Sequence, residues 1–111
     1  MAWLNVCRSV DLKETGLGVR FCVRQEEGFV VRYRGVVRAY YNRCPHRGLE
    51  LDWQAGKFFD ERGETLVCSV HGARYDPALG HCLGGPCRGL ALQSLMCVEK
   101  DGLVFVDEGV L

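Results

Sequence analysis

Long apolar runs are missing from this chain. Nothing approaches the roughly 18 consecutive apolar residues that a membrane helix needs, so no membrane association is expected. The first residues, with Trp3, Asn5, Cys7 and Arg8, show no basic stretch followed by an apolar one, and no secretory leader is expected either. Net charge is also missing, because 14 Lys and Arg balance 14 Asp and Glu. The balance hides an asymmetry, with nine basic and four acidic residues over 1–47 and five against ten over 48–111. The signs are interleaved, however, and nucleic-acid binding would want an unopposed basic face. Proline and histidine number three each, and no window carries an apolar stripe at helical spacing. At 111 residues the chain reads as a single domain, 1–111.

What is present is cysteine, seven residues of it, and glycine, 14 residues, about twice the usual share. Hydrophobic residues at 48% and charged residues at 25% are ordinary globular proportions, which excludes disorder. An odd number of cysteines without a leader points to the cytoplasm, where cysteines more often bind metal or sit as small hydrophobes than pair.

Alternation identifies the scaffold. Val19, Phe21 and Val23 alternate with Arg20, Cys22 and Arg24, and Phe29, Val31 and Tyr33 with Val30, Arg32 and Arg34. This period of two predicts half-buried strands punctuated by Gly28 and Gly35, followed by a further strand over Val36–Tyr41. Leu92–Val98 and Leu103–Val106 flank Lys100-Asp101-Gly102, a hairpin signal because such turns need positive φ. The fold is expected to be all-β and antiparallel, a sandwich or barrel. Between its strand-rich ends, roughly 42–89, alternation fades and Cys, His, Gly and Pro cluster, which predicts a loop-built site inserted into one scaffold.

Two arms inside that region repeat one chemical idea: Cys44-Pro45-His46-Arg47-Gly48 and Cys68-Ser69-Val70-His71-Gly72, with 21 residues between His46 and Cys68. Phe58-Phe59 and Leu66-Val67 in the intervening stretch suffice for short strands that bring the arms together. Two thiolates and two imidazoles restrict a metal mainly to zinc or iron–sulfur. Zinc fingers usually pair Cys with Cys and His with His, with spacers of at least two residues. Here each arm mixes the ligand types, and the first has a single spacer. A binuclear cluster accounts for the mixture if each arm sends its Cys to one iron and its His to the other.

Cys44-x-His46 and Cys68-x-x-His71 resemble the ligand motifs of Rieske [2Fe-2S] proteins, in which two His replace two Cys on one iron. Gly48 and Gly72 stand where that family has glycines after its ligand arms, Tyr75-Asp76 where it has an aromatic residue and Asp, and Gly85-Pro86 resembles its proline loop over the cluster. The resemblance spans most of the chain and is strongest over 43–107. It implies a Rieske-like antiparallel β fold with an inserted cluster-binding subdomain, with Cys44, His46, Cys68 and His71 as ligands of one [2Fe-2S] cluster and Gly48, Gly72, Tyr75 and Pro86 in the surrounding loops.

Within the family, quinol-oxidising members carry a membrane anchor and a disulfide between the ligand arms; the matching positions are Leu49 and Val70, so that bridge cannot form. An oxygenase catalytic subunit needs a second iron held by two His and a carboxylate, and His81 alone cannot supply it. The resemblance therefore implies a soluble, monomeric, cytoplasmic ferredoxin, a carrier and not an enzyme, between a reductase and an acceptor such as an oxygenase. The small subunit of a nitrite reductase is the alternative within this fold, and a zinc-stabilised interaction module the alternative outside it. In the quinol-oxidising class a Ser hydroxyl follows the His-Gly pair; Ala73 removes that donor here while Tyr75 keeps another. The expected potential lies toward the low end of the roughly −150 to +300 mV Rieske span.

Cys7, Cys22 and Cys97 are read as small hydrophobes in strands. Cys82 and Cys87 flank the proline loop closely enough to pair, but the cytoplasmic reading keeps them as thiols. His81 is expected at the surface. Arg43, Arg47, Arg74 and Arg88 lie around the predicted loops, either as ordinary solvated charge partly offset by Glu50, Asp52 and Asp76 or as a basic rim that steers an acidic redox partner.

Overall fold

The computed structural model describes residues 3–44, 50–52, 54–68 and 72–107. The alternating stretches become β1 (Trp3–Arg8), β2 (Val19–Val23), β3 (Glu26–Tyr33) and β4 (Val36–Tyr41). The cysteine-rich region contributes only β5 (Leu66–Val67), β6 (Arg74–Tyr75) and β7 (Cys82–Gly84), and the chain closes with β8 (Ser94–Leu95), β9 (Cys97–Lys100) and β10 (Leu103–Asp107). Among the described residues the only helical turn is a 3₁₀ turn over Ser9–Asp11, so the all-β expectation holds.

The strands form three antiparallel sheets, ordered β1-β10-β9, β2-β3-β4-β8 and β5-β6-β7. Three two-residue hairpins set the registers. Arg24-Gln25, Arg34-Gly35 and Asp101-Gly102 each place both residues at positive φ, the backbone that matches the twist of paired strands. Two of these turns were legible from their glycines. The first was not, because Gly28 was read as its punctuation. Gly28 instead lies inside β3, where a Cβ would stand 2.6 Å from the Phe21 ring on the neighbouring strand; close approach requires glycine there, not a turn. The predicted strand over Leu92–Val98 is in fact split between β8 and β9 around an exposed Met96, and β1 carried no recognised signal.

β3 also departs from the half-buried expectation, since Gly28, Phe29, Val30 and Val31 are all buried. The cause is that the β3–β4 sheet separates two cores. Val30, Val37 and Ala39 face Val104, Val106, Leu12 and Val23 on one side. Phe29, Val31 and Tyr40 face Cys44, Leu51, Phe58, Leu66, Cys68, Tyr75 and Leu92 on the other. A strand covered on both faces reads as a continuous apolar run. Of the strand cysteines, Cys7 and Cys97 are half-buried as expected, whereas Cys22 is exposed on β2.

Candidate metal centre

Cys44 leaves the end of β4 and is fully buried; Cys68 leaves the end of β5 and is fully buried in the same core. The Cys68 N–H donates to the Ala73 carbonyl (2.9 Å) while the Gly72 N–H donates back to the Cys68 carbonyl (2.8 Å). Gly72 has φ +71°. β6 then returns and brings the Tyr75 hydroxyl to 3.1 Å from Cys44 Sγ. One phenol on the second arm thus reaches the sulfur of the first, 31 residues away in sequence. Burial and this contact with Cys44 push the Tyr75 hydroxyl far above its usual range, with the charge of both cysteines adding to the shift. With Cys44 as a thiolate ligand, the phenol is the group of the two that can donate.

The two ends of the first arm are tied by side chains. Asn42 Nδ2 donates to Asp52 Oδ1 (2.9 Å), its Oδ1 accepts from the Leu51 N–H (2.8 Å), and Asp52 Oδ2 accepts from the Gly56 N–H (2.9 Å). Asn42 and Asp52 are both buried. Arg20 from β2 completes the group, with Nη2 at 2.6 Å from Glu27 and 2.7 Å from Glu50, and Nε at 3.4 Å from Asp52. Burial and a hydrogen bond to Glu50 push the Glu27 carboxyl up, while the same bond pulls Glu50 down. Sequence reasoning took Asp52 and Glu50 for surface charge. No local pattern marks them, because their partners come from β2, β3 and the end of β4.

The proline loop follows β7. Pro86 is exposed, and the close approach to the second arm is made by its neighbour: a Cβ on Gly85 would stand 3.0 Å from the Gly72 carbonyl oxygen and 3.1 Å from Ala73 Cα. The expectation that Cys82 and Cys87 remain thiols is corrected, for they form a disulfide across this loop. Cys87 lies fully buried in the core that holds Cys44 and Cys68. β7 and the turn after it set the two cysteines side by side, and a compartment argument cannot see that geometry.

His46, His71 and Gly48, together with Arg47, Leu49 and Val70, lie outside the described residues. His81 is at the surface as expected, with Nε2 3.8 Å from Asp76 Oδ2. Of the arginines, Arg43 pairs with Glu26 and Arg74 with Asp60 at 3.0 Å, so two of the four proposed rim charges have carboxylate partners within the chain. Arg88 is exposed.

Residues 2–98 match the family model of the Rieske [2Fe-2S] domain. The chain belongs to the Rieske family. Its Rieske domain binds a [2Fe-2S] cluster, and the donor set fits that group: two thiols buried in an apolar core suit a soft iron–sulfur centre, with a phenol aimed at one sulfur. The chain is 32% identical over 80 residues to oxidoreductase NdmD of Pseudomonas putida, a stretch covering 72% of this chain and 13% of that protein. The chain therefore spans a small fraction of the length of that curated relative. Among solved structures, the ferredoxin of carbazole 1,9a-dioxygenase from Nocardioides aromaticivorans IC177 superposes with a TM-score of 0.79 at 26% identity, covering 96% of this Rieske chain and 97% of that one. The Sphingomonas yanoikuyae B1 ferredoxin superposes at 0.77 and 23% identity over 96% and 98% of the two chains, which speaks to the fold.

Proposed function

We propose that this Rieske chain is a ferredoxin-type electron carrier whose cluster is held by Cys44 and Cys68 on one iron and by His46 and His71 on the other. The observation that carries the reading is the 3.1 Å approach of the Tyr75 hydroxyl to Cys44 Sγ, which brings both arms into one buried site. When bound, the cluster supplies a one-electron couple at an N/S-ligated iron pair. The protein's part is to hold the two thiolates in an apolar pocket, to donate a hydrogen bond from Tyr75 to one of them, and to tie together the residues on either side of the first arm through Asn42, Asp52 and Arg20. A donor to sulfur favours the more negative, reduced state and raises the potential.

The matched ferredoxin of a dioxygenase supports a reductase as electron donor and an oxygenase as acceptor. No described helix is long and apolar enough to cross a membrane; a cytoplasmic location, a monomeric state and the extent of the domain, 1–111, belong to the same proposal. Analysis of the purified protein for metal and labile sulfide tests it. Two irons and two sulfides, reducible by one electron, are expected. Colourless protein carrying a single zinc would refute the reading.

A further inference from the structure

The loop joined by Cys82 and Cys87 is closed twice over. Besides the disulfide, the Cys82 N–H donates to the Leu90 carbonyl (3.0 Å) and the Leu90 N–H to the Cys87 carbonyl (2.8 Å), while Tyr75 and Cys82 are partners in the β6–β7 ladder. Breaking the S–S bond would leave these in place and keep the two Cα atoms near their present 5.6 Å, a separation from which the bond can re-form. The reduced state is also provided for. The Gly84 carbonyl oxygen lies 3.2 Å from Cys87 Sγ and 3.6 Å from Cys82 Sγ, and the Arg74 carbonyl 3.6 Å from Cys87 Sγ. Each thiol would find an acceptor, so burial of Cys87 would not strand a donor. Cys82 is only half-buried whereas Cys87 is fully buried, which makes Cys82 the bridge residue nearer to solvent.

We propose that Cys82 and Cys87 form a second redox site in this protein, a reversible two-electron disulfide that in its oxidised form clamps the proline loop onto the second ligand arm. The reductant is a dithiol. Its thiolate attacks Cys82 Sγ, the Cys82–Cys87 bond breaks, and Cys87 leaves as a thiolate that takes up a proton. The second thiol of the reagent then attacks the mixed disulfide, which releases the Cys82 thiol and oxidises the reagent to its own disulfide. Two electrons and two protons enter the protein, and none pass through the cluster. The clamp acts where Gly85 rests against Gly72 and Ala73, just beyond the second arm. This second part rests on the ligand assignment proposed above. A thiol–disulfide couple also reconciles a paired Cys82 and Cys87 with a reducing compartment, where disulfides are usually transient.

The sequence makes the test direct, because the tryptic peptide from Tyr75 to Arg88 contains Cys82 and Cys87 and no other cysteine. The folded, cluster-loaded protein is equilibrated anaerobically with mixtures of reduced and oxidised dithiothreitol, quenched in acid to stop thiol exchange, alkylated with N-ethylmaleimide in denaturant because Cys87 is buried, and the peptide weighed. The expected result is a reversible two-electron titration from no label to two labels. A peptide labelled twice at every ratio, or unlabelled at every ratio in the folded protein, would overturn the redox site. Iron release to a chelator is followed in the same samples, and about tenfold faster loss is expected from the reduced form, the lower end of what loss of an outer support does to a metal site. The double variant Cys82→Ser/Cys87→Ser should release iron at that faster rate with or without dithiothreitol. Equal release from oxidised and reduced wild type would overturn the clamp. Protein purified without iron and sulfide would instead refute the carrier reading and leave the thiol titration readable.

Discussion

On one face of β3 and β4 the chain packs Val30, Val37 and Ala39 against Val104 and Val106, with backbone groups joined by ladders and two-residue hairpins. On the other face Phe29, Val31 and Tyr40 meet Cys44, Cys68 and Tyr75, which hang on loops and two-residue strands. The first core needs little beyond alternation and turn chemistry. The second lacks enough ladder to satisfy its backbone, and side chains and a covalent bridge stand in: Asn42 and Asp52 for the first arm, Asp60 for the N–H groups of Glu64 and Thr65, the Cys82–Cys87 bond for the proline loop. A metal site built on loops gains ligand geometry that strands cannot offer, at the cost of many polar partners that must all be in place.

Damage to the two regions should therefore differ in kind. Cys68→Ser is expected to abolish cluster binding while leaving the far-ultraviolet circular dichroism of the scaffold unchanged, as measured by iron and sulfide content beside the spectrum. Loss of both together would mean that the regions fold as one. Phe29→Ala should harm both, because Phe29 stacks on Phe58 at 3.8 Å from a strand shared by the two cores. A cost of about 3–5 kcal/mol in denaturant unfolding is expected for a buried Phe, with faster iron loss.

Asp52→Ala confines the damage to the site side. It leaves the Gly56 N–H without its acceptor and the Asn42 amide with only Glu27 at 3.3 Å, a loss of about 1–3 kcal/mol, seen as accelerated iron release with little change in scaffold hydrogen exchange. Tyr75→Phe removes one donor and almost no volume, so cyclic voltammetry should find the midpoint moved to a more negative value with cluster content unchanged. The smallest effect belongs to the scaffold surface. Glu99 forms a two-point pair with Arg32, at 3.0 and 2.6 Å, which pulls its carboxyl from 4.5 down to about 2. A depressed folded value means that its stabilisation is complete above about pH 4.5 and is lost as the pH falls toward 2. Comparing Glu99→Gln with wild type should show a difference of about 1 kcal/mol or less at neutral pH, vanishing over that acid window, with no effect on the cluster.

The scaffold was largely legible in the sequence because its determinants are local. Alternation found β2 and β3, and Gly35 and Asp101-Gly102 marked two hairpins and the runs beyond them that become β4 and β10. What escaped is set by tertiary packing: Gly28 serves the Phe21 ring and not a turn, and Met96 divides one apolar run into β8 and β9. At the candidate site, the spacing of the two arms anticipated that Cys44 and Cys68 converge, and the family resemblance anticipated Tyr75 beside them. Asn42, Asp52 and Arg20 were not, since they are brought together from three separate stretches of chain. The Cys82–Cys87 bridge was discounted by an argument about compartment, although spacing alone allowed it.

The ligand assignment can be tested in one spectrum. Pulsed electron paramagnetic resonance of the dithionite-reduced protein, labelled with ¹⁵N only in histidine, reads the imidazole nitrogens bound to the cluster. Two distinct ¹⁵N couplings, one of which disappears in His46→Cys with the cluster retained, are expected. A paramagnetic cluster without any histidine coupling, or no paramagnetic signal at all, would show that Cys44, His46, Cys68 and His71 do not together hold a [2Fe-2S] centre.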